Sequence, residues 1–448
     1  MAIGKILYKS FYWRAFQWGS SFLVNILFAR MLHASLSAEL YSLVYLFSIF
    51  TGFFTLGLDI GLNYFISRGE LSSALARRII GGVTLMAVVI SPLLLFTGHG
   101  LIHDPDISLQ RLMLFSICQI AGSLLVVLSG TLFTAYGQNH IPAKIGCLLN
   151  ALVAVLALAE NGIYHGRQAV DNLFLLYFLL SLGQGIVLFL LTERYTGRQR
   201  EDAKKNVSPF FLLRYCFLSF MTNFVFFLGG RVALYLLPSR VPASELGNYI
   251  QVYKIVEYMS MAAAFFYYPF ITMVATEDRD KMNEKALMLV RLSNTAVLLV
   301  TVVILVLGPF LFPFVFGSSF GQMSSIFVWF IPGLFAACSS TFFTAWYFGA
   351  GHVRYNLTSA CLQMGTSVLL FFLLTPAWGV RGAAMGYSGA ALLSMAYDCL
   401  LFKKFYQYKP VDLLLIQRND WHILRAFKEK WLLRGGKSAE GRGDDRPY

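Results

Sequence analysis

Apolar runs of about twenty residues recur along nearly the whole chain, separated by short polar corners, and they constrain its fold more than any other feature. A helix rises about 1.5 Å per residue, so each run suits a hydrocarbon core of ~30 Å. The ~10-residue alternating strands of a membrane barrel are not seen. The chain therefore reads as an all-α integral membrane protein. Its composition agrees: 57% of its 448 residues are hydrophobic and 13% charged, against ~25% charged in soluble domains.

The runs predict twelve transmembrane helices at about 12–33, 39–66, 78–98, 108–137, 141–165, 170–195, 209–237, 244–276, 286–308, 320–349, 354–376 and 381–403. The N-terminal MAIGKILYKSFYWR is basic and lacks a small-residue cleavage site, so it reads as an uncleaved cytoplasmic start. With that end inside, 28 of the 36 lysines and arginines fall on the cytoplasmic side; Arg30, Arg111, Arg167, Arg240 and Arg381 fall outside. This asymmetry predicts that both termini are cytoplasmic. It also accounts for the net charge of +13 without invoking nucleic acid. The longest loop before the tail is the basic linker 196–208, TGRQREDAKKNVS, too short for a soluble catalytic domain, so no enzyme is expected. All six cysteines lie in apolar segments with no paired spacing and read as small hydrophobes, with no disulfide, metal or cofactor expected.

The halves of the chain echo one another. TLFTA at Thr131 returns as TFFTA at Thr341, CLLNALVAVL at Cys147 as CLQMGTSVLL at Cys361, and SAELYSL around Glu39 as ASELGNY around Glu245, with offsets of 206 to 214. An even repeat of six helices keeps both copies in one orientation, related by an axis along the membrane normal, with a site between them near the midplane. The expected organisation is two pseudo-symmetric six-helix bundles, 1–195 and 209–403, around a central cavity. A cytoplasmic tail follows at 404–434, where Trp421, Leu424, Phe427 and Trp431 share one stripe of a basic amphipathic helix, lying on the membrane or on the cytoplasmic loops. Residues 435–448 are glycine-rich, charged and expected to be disordered. Their GGKS does not make a phosphate-binding loop, since Trp431 stands where the first glycine is needed.

ILFARML, AELYSL and LGLDIGLNYFISR together resemble the opening of the polysaccharide-type flippases of the multidrug/oligosaccharidyl-lipid/polysaccharide exporter superfamily. Arg30, Met31 and Leu32, then Glu39, Leu40 and Tyr41, then Leu56 to Leu58 carry the likeness, while Ser42 departs from the glycine that often follows the tyrosine. The resemblance implies a flippase of the bacterial inner membrane that moves an undecaprenyl-diphosphate-linked oligosaccharide between leaflets by alternating access. It also implies a basic, water-filled central cavity. Membrane lipids, and a proton or sodium ion, are the other expected partners of a monomer. A multidrug/cation antiporter and a peptidoglycan-precursor flippase stand as alternatives.

Polar residues within the spans mark the candidate site, because a charge at membrane depth costs roughly 2.5–3.5 kcal/mol even on the lenient insertion scale. Arg14, Trp18, Ser21 and Asn25 share one face of the first helix, and Thr51, Thr55, Asp59 and Asn63 one face of the second. The seventh contributes Arg214, Asn223 and Arg231, and the eighth Gln251, Lys254 and Glu257. Arginine suits a diphosphate through its bidentate fork, and amides and aromatic faces suit sugars. Each residue has a duller reading. Arg14 marks the interface, Asp59 bonds neighbouring helices, Lys254 and Glu257 neutralise each other, and Arg30 and Glu39 clamp the outer corner. Arg231, deep in its span with no local acidic neighbour, is the strongest functional candidate.

Overall fold

The computed structural model describes residues 2–98, 108–138, 140–163, 167–196, 209–264, 267–276 and 279–409, with Leu413, Gln417 and Asp420. Most of the 196–208 linker and the tail beyond Asp420, including the amphipathic stripe and the GGKS segment, lie outside the described residues. Among those described, the chain is helical: α1 Ala2–Phe54, α2 Leu58–Ser67, α3 Ser73–Gly98, α4 Leu109–Ala135, α5 His140–Ile163, α6 Arg167–Thr196, α7 Pro209–Leu236, α8 Ala243–Ala264, α9 Tyr267–Thr276, α10 Arg279–Phe316, α11 Met323–Gly349 and α12 Val353–Phe402. Eight helices among these residues are long and apolar enough to cross a membrane. The chain is a multi-pass membrane protein.

Two of these helices are hairpins. In α1, His33 takes a left-handed φ of 55°. A straight helix would separate Asn25 and Tyr41 by about 24 Å, yet both meet the same Lys254 amine. The chain therefore doubles back at the HASLSAEL corner. In α12 the reversal is at Gly379, φ 54°. Beyond it Gly382 lies against Leu374, Gly386 against Phe371, and Ser394 bonds Ser359. Each reversal falls in a corner between predicted spans. Leu56 and Gly57 are both left-handed and break α1 from α2. At Gly57 a Cβ would stand 2.1 Å from the Cys216 carbonyl of α7, so only glycine lets the two helices cross there.

Some expectations change. The predicted 286–308 helix is the longer α10, Arg279–Phe316, in which Arg291 is buried. Arg291 is paired with Asp420 of the tail, Nε to Oδ2 at 2.7 Å, and the Leu413 carbonyl accepts from Asn294 at 2.9 Å. The described part of the tail is thus docked on protein. Of the six cysteines, Cys361 is exposed rather than buried.

Packing falls into two sets. α4 packs on α3 and α6, and α5 on α1 and α6; α11 packs on α8, α10 and α12, and α12 on α7. α1 joins the sets, chiefly through α8. The tightest approach lies at the α1 turn, where a Cβ on Gly247 would meet the Ala34 carbonyl at 1.9 Å. Nearby, the Ala34 amide donates to Ser319 Oγ at 3.2 Å and Arg30 donates to the Phe314 carbonyl. Arg30 thus ties α1 to α10 across the sets, a bond the expected clamp with Glu39 did not include. Gly247→Ala is expected to lower the melting temperature of the purified protein, because an added carbon there costs about 1–3 kcal/mol of overpacking. An unchanged melting temperature would refute the close approach.

Candidate functional site

A cavity of about 290 Å³ opens between the two sets of helices. Its wall on the first set is uncharged: Ser21 and Asn25 of α1, Gln119 of α4, Asn150 of α5, and Ser181 and Gln184 of α6 supply amides and hydroxyls. Tyr41, Tyr177 and Tyr258 add aromatic surface, and α8 brings Lys254 and Glu257. The α8 sequence QVYKIVEY sets Gln251, Lys254 and Glu257 one turn apart, so all three look toward α1 and α7.

These groups are held in a defined order. Lys254 Nζ donates to Asn25 Oδ1 at 2.7 Å and sits over the ring of Tyr41. The Asn25 amide then donates to Gln251 Oε1 at 2.8 Å, which fixes which end of the asparagine faces the lysine. Arg231 pairs with Glu257 at 2.5 Å, its guanidinium over the Phe227 ring at 4.2 Å. The Tyr253 hydroxyl donates to the Gly230 carbonyl at 3.0 Å and holds α7 on α8 beside that pair. Opposite, Asn150 donates to Ser20 and Ser21, and Gln119 donates to Ser123 at 3.1 Å. The buried Gln119 Oε1 has no hydrogen-bond partner. Arg231, Glu257 and Lys254 sum to one net positive charge beside a wall of neutral donors and acceptors. Such a site suits a hydroxyl-rich neutral group joined to an anion.

The predicted residues divide. Asn25, Lys254 and Glu257 line the cavity, and Arg231 lies directly behind it. Arg231 has no acidic neighbour near it in the sequence, but Glu257, 26 residues away, meets it across one helix contact in space. Lys254 binds Asn25, and the alternative in which it and Glu257 neutralise each other gives way to the Arg231–Glu257 pair. Asn25 and Arg231 stand 206 residues apart, the offset that also relates Glu39 and Glu245, and each bonds a side chain of α8.

Asp59 and Asn223 line a second cavity of about 220 Å³, walled by Phe220, Phe224 and Phe227. The expected Thr51–Thr55–Asp59–Asn63 stripe is broken at Leu56 and Gly57; Thr55 and Asp59, on either side of the break, line this second space, and none of the four is among the residues lining the central one. Asn63 accepts from Ser67, and Arg214 is exposed near the start of α7. Arg14 and Trp18 are half-buried on the first limb of α1, and neither is among the residues lining the central cavity. Sequence reasoning missed Gln119, Asn150 and the α6 face. Tyr177, Ser181 and Gln184 repeat the i, i+4, i+7 spacing that marked α1, so that face was open to detection.

No family model matches the chain, and no curated protein matches it. Solved structures do. Lipid II flippase MurJ in an inward closed conformation superposes with a TM-score of 0.71 at 14% identity, over 95% of this chain and 92% of that one. An inward-facing multidrug resistance MATE transporter of the MOP superfamily gives 0.66 at 13% identity, over 88% and 96%. A MOP superfamily transporter from Pyrococcus furiosus, described as having a binding pocket of reversed polarity, gives 0.60 at 13%, over 91% and 96%. The chain therefore carries the fold of the MOP-superfamily flippases and transporters.

Proposed function

We propose that this protein is a flippase for a lipid-linked oligosaccharide, carrying an undecaprenyl-diphosphate-linked glycan across the bacterial inner membrane for surface polysaccharide synthesis. In this reading twelve crossings form two six-helix halves with both ends in the cytoplasm, and alternating access between the halves moves the head group. The protein acts as a transporter rather than an enzyme. The observation that carries the reading is the make-up of the central cavity. Its amides, hydroxyls and tyrosines match a neutral sugar, while Lys254, the net positive charge left once Arg231 and Glu257 cancel, matches a phosphate. A cation antiporter calls instead for a net acidic cavity, to draw in its substrate. A peptidoglycan-precursor flippase shares the fold and the diphosphate, so the test includes its substrate.

The test uses purified protein in lipid vesicles with a fluorescent undecaprenyl-diphosphate-linked oligosaccharide and a fluorescent peptidoglycan precursor. Accelerated movement of the oligosaccharide lipid between leaflets, and little or none of the precursor, is the expected result. Movement of the precursor alone, or export of cationic dyes with neither lipid moved, would overturn the reading.

A further inference from the structure

The second set of helices holds an acid that the cavity does not use. Asp398 lies one turn from the end of α12 and is 0% exposed. Neither of its carboxyl oxygens makes a hydrogen bond of ordinary geometry. The hydroxyls of Ser340 on α11 and Ser359 on the first limb of α12 face it. Ser359 is joined at 2.7 Å to Ser394, one turn back on the limb that carries Asp398. All three serines are buried, and the Ser340 hydroxyl also has no partner. Tyr347 of α11 donates to the Asp398 backbone carbonyl at 2.6 Å, which pins the residue in place.

The surroundings carry no compensating charge. The titratable groups against Asp398 are Tyr347 from α11, Cys399 from its own helix and Tyr408 from the tail. His352 stacks with Trp346 and Phe405 at the same end of α11, and Lys403 and Lys404 are exposed. Among the described residues no basic side chain pairs with the carboxyl. The start of the tail closes the site, the Tyr408 hydroxyl donating to the Cys399 carbonyl at 2.9 Å and Phe402 and Phe405 packing on Trp346.

An unpaired carboxylate in such a place is costly by several kcal/mol. A proton removes the charge and needs no added space, and intramembrane acids of this kind commonly relay protons. We propose that Asp398 is a proton-exchange site, holding a proton in the conformation described and releasing it when the tail at 403–409 and the α11–α12 corner admit water. On release the carboxyl O–H bond breaks, the proton passes to water, and the carboxylate left behind is stabilised by hydration. This site stands apart from the central cavity and does not depend on what that cavity carries.

The test is amide hydrogen exchange on the full-length protein in nanodiscs across a pH series, corrected for the intrinsic pH dependence of exchange. Residues 396–409 of the wild type are expected to lose protection as pH rises, in a one-proton step of about tenfold per pH unit. Asp398→Asn, neutral at every pH, is expected to keep its protection flat. Ser359→Ala is expected to move the step to higher pH, because it removes one of the two hydroxyls facing the carboxyl that can donate to its charged form. That variant keeps the proposal testable if Asp398→Asn does not assemble, and an unmoved step then counts against it. The same response in wild type and Asp398→Asn would overturn the proposal. So would a change produced in the wild type by sodium at constant pH.

Discussion

Lys254→Met is expected to weaken binding of a prenyl diphosphate by the purified protein roughly 10- to 100-fold, the value of a charge-assisted hydrogen bond of about 1.5–3 kcal/mol. Lys254 is the one cation among the described residues that line the central cavity. Its amine is held by Asn25 and by the face of Tyr41, so it is oriented before any ligand arrives. Methionine keeps the length of the chain and its apolar packing while removing the charge and the bond to Asn25. Asn25→Ala leaves the charge but releases the amine and is expected to give a smaller loss. Isothermal titration with farnesyl diphosphate measures both. Equal affinity in Lys254→Met and the wild type would remove the lysine from the site.

Glu257→Ala is expected to cost stability before it affects transport. It strips the partner from Arg231, whose side chain is only 22% exposed and rests on Phe227. Breaking a buried ion pair from one side costs about 3–5 kcal/mol, because the remaining charge is left without compensation. Arg231→Ala is expected to do the same from the other side. The double replacement Arg231→Met/Glu257→Met removes both charges and is expected to recover most of the loss in melting temperature. Were Arg231 instead a substrate-binding residue, Arg231→Ala would abolish surface polysaccharide while the protein stays in the membrane. Protein abundance and melting temperature, measured alongside polysaccharide, decide between them. A melting temperature unchanged in both single variants would show that the pair is not structural.

The helices were legible because hydropathy is local. Each run of apolar residues is itself the cause of its helix in a membrane, and each polar corner the cause of its end. The same local reading found Asn25, Lys254 and Glu257, since an ionisable or amide group at membrane depth stands out against apolar neighbours. It did not reveal the partner of Arg231, because the residue that neutralises it lies on another helix. It passed over Gln119 and Asn150, which carry no charge to attract notice. Asp398 was overlooked for a related reason: near the end of its span it reads as an interfacial residue, and only the packing of α11, α12 and the tail over it shows complete burial.

The sequence by itself determined that the chain is helical and built for a membrane, and which kinds of polar group its helices carry inward. These depend on the free energy of moving each short segment from water to lipid, which its own residues set. Only the tertiary structure decided the partners. It joined Lys254 to Asn25 rather than Glu257, gave Arg231 its carboxylate, broke the Thr51–Asn63 stripe at Leu56 and Gly57, and drew the tail onto Arg291. Those outcomes turn on which helix faces meet. That is settled by close approaches such as Gly247 on Ala34 and Gly57 on Cys216, between residues more than 150 positions apart in the chain.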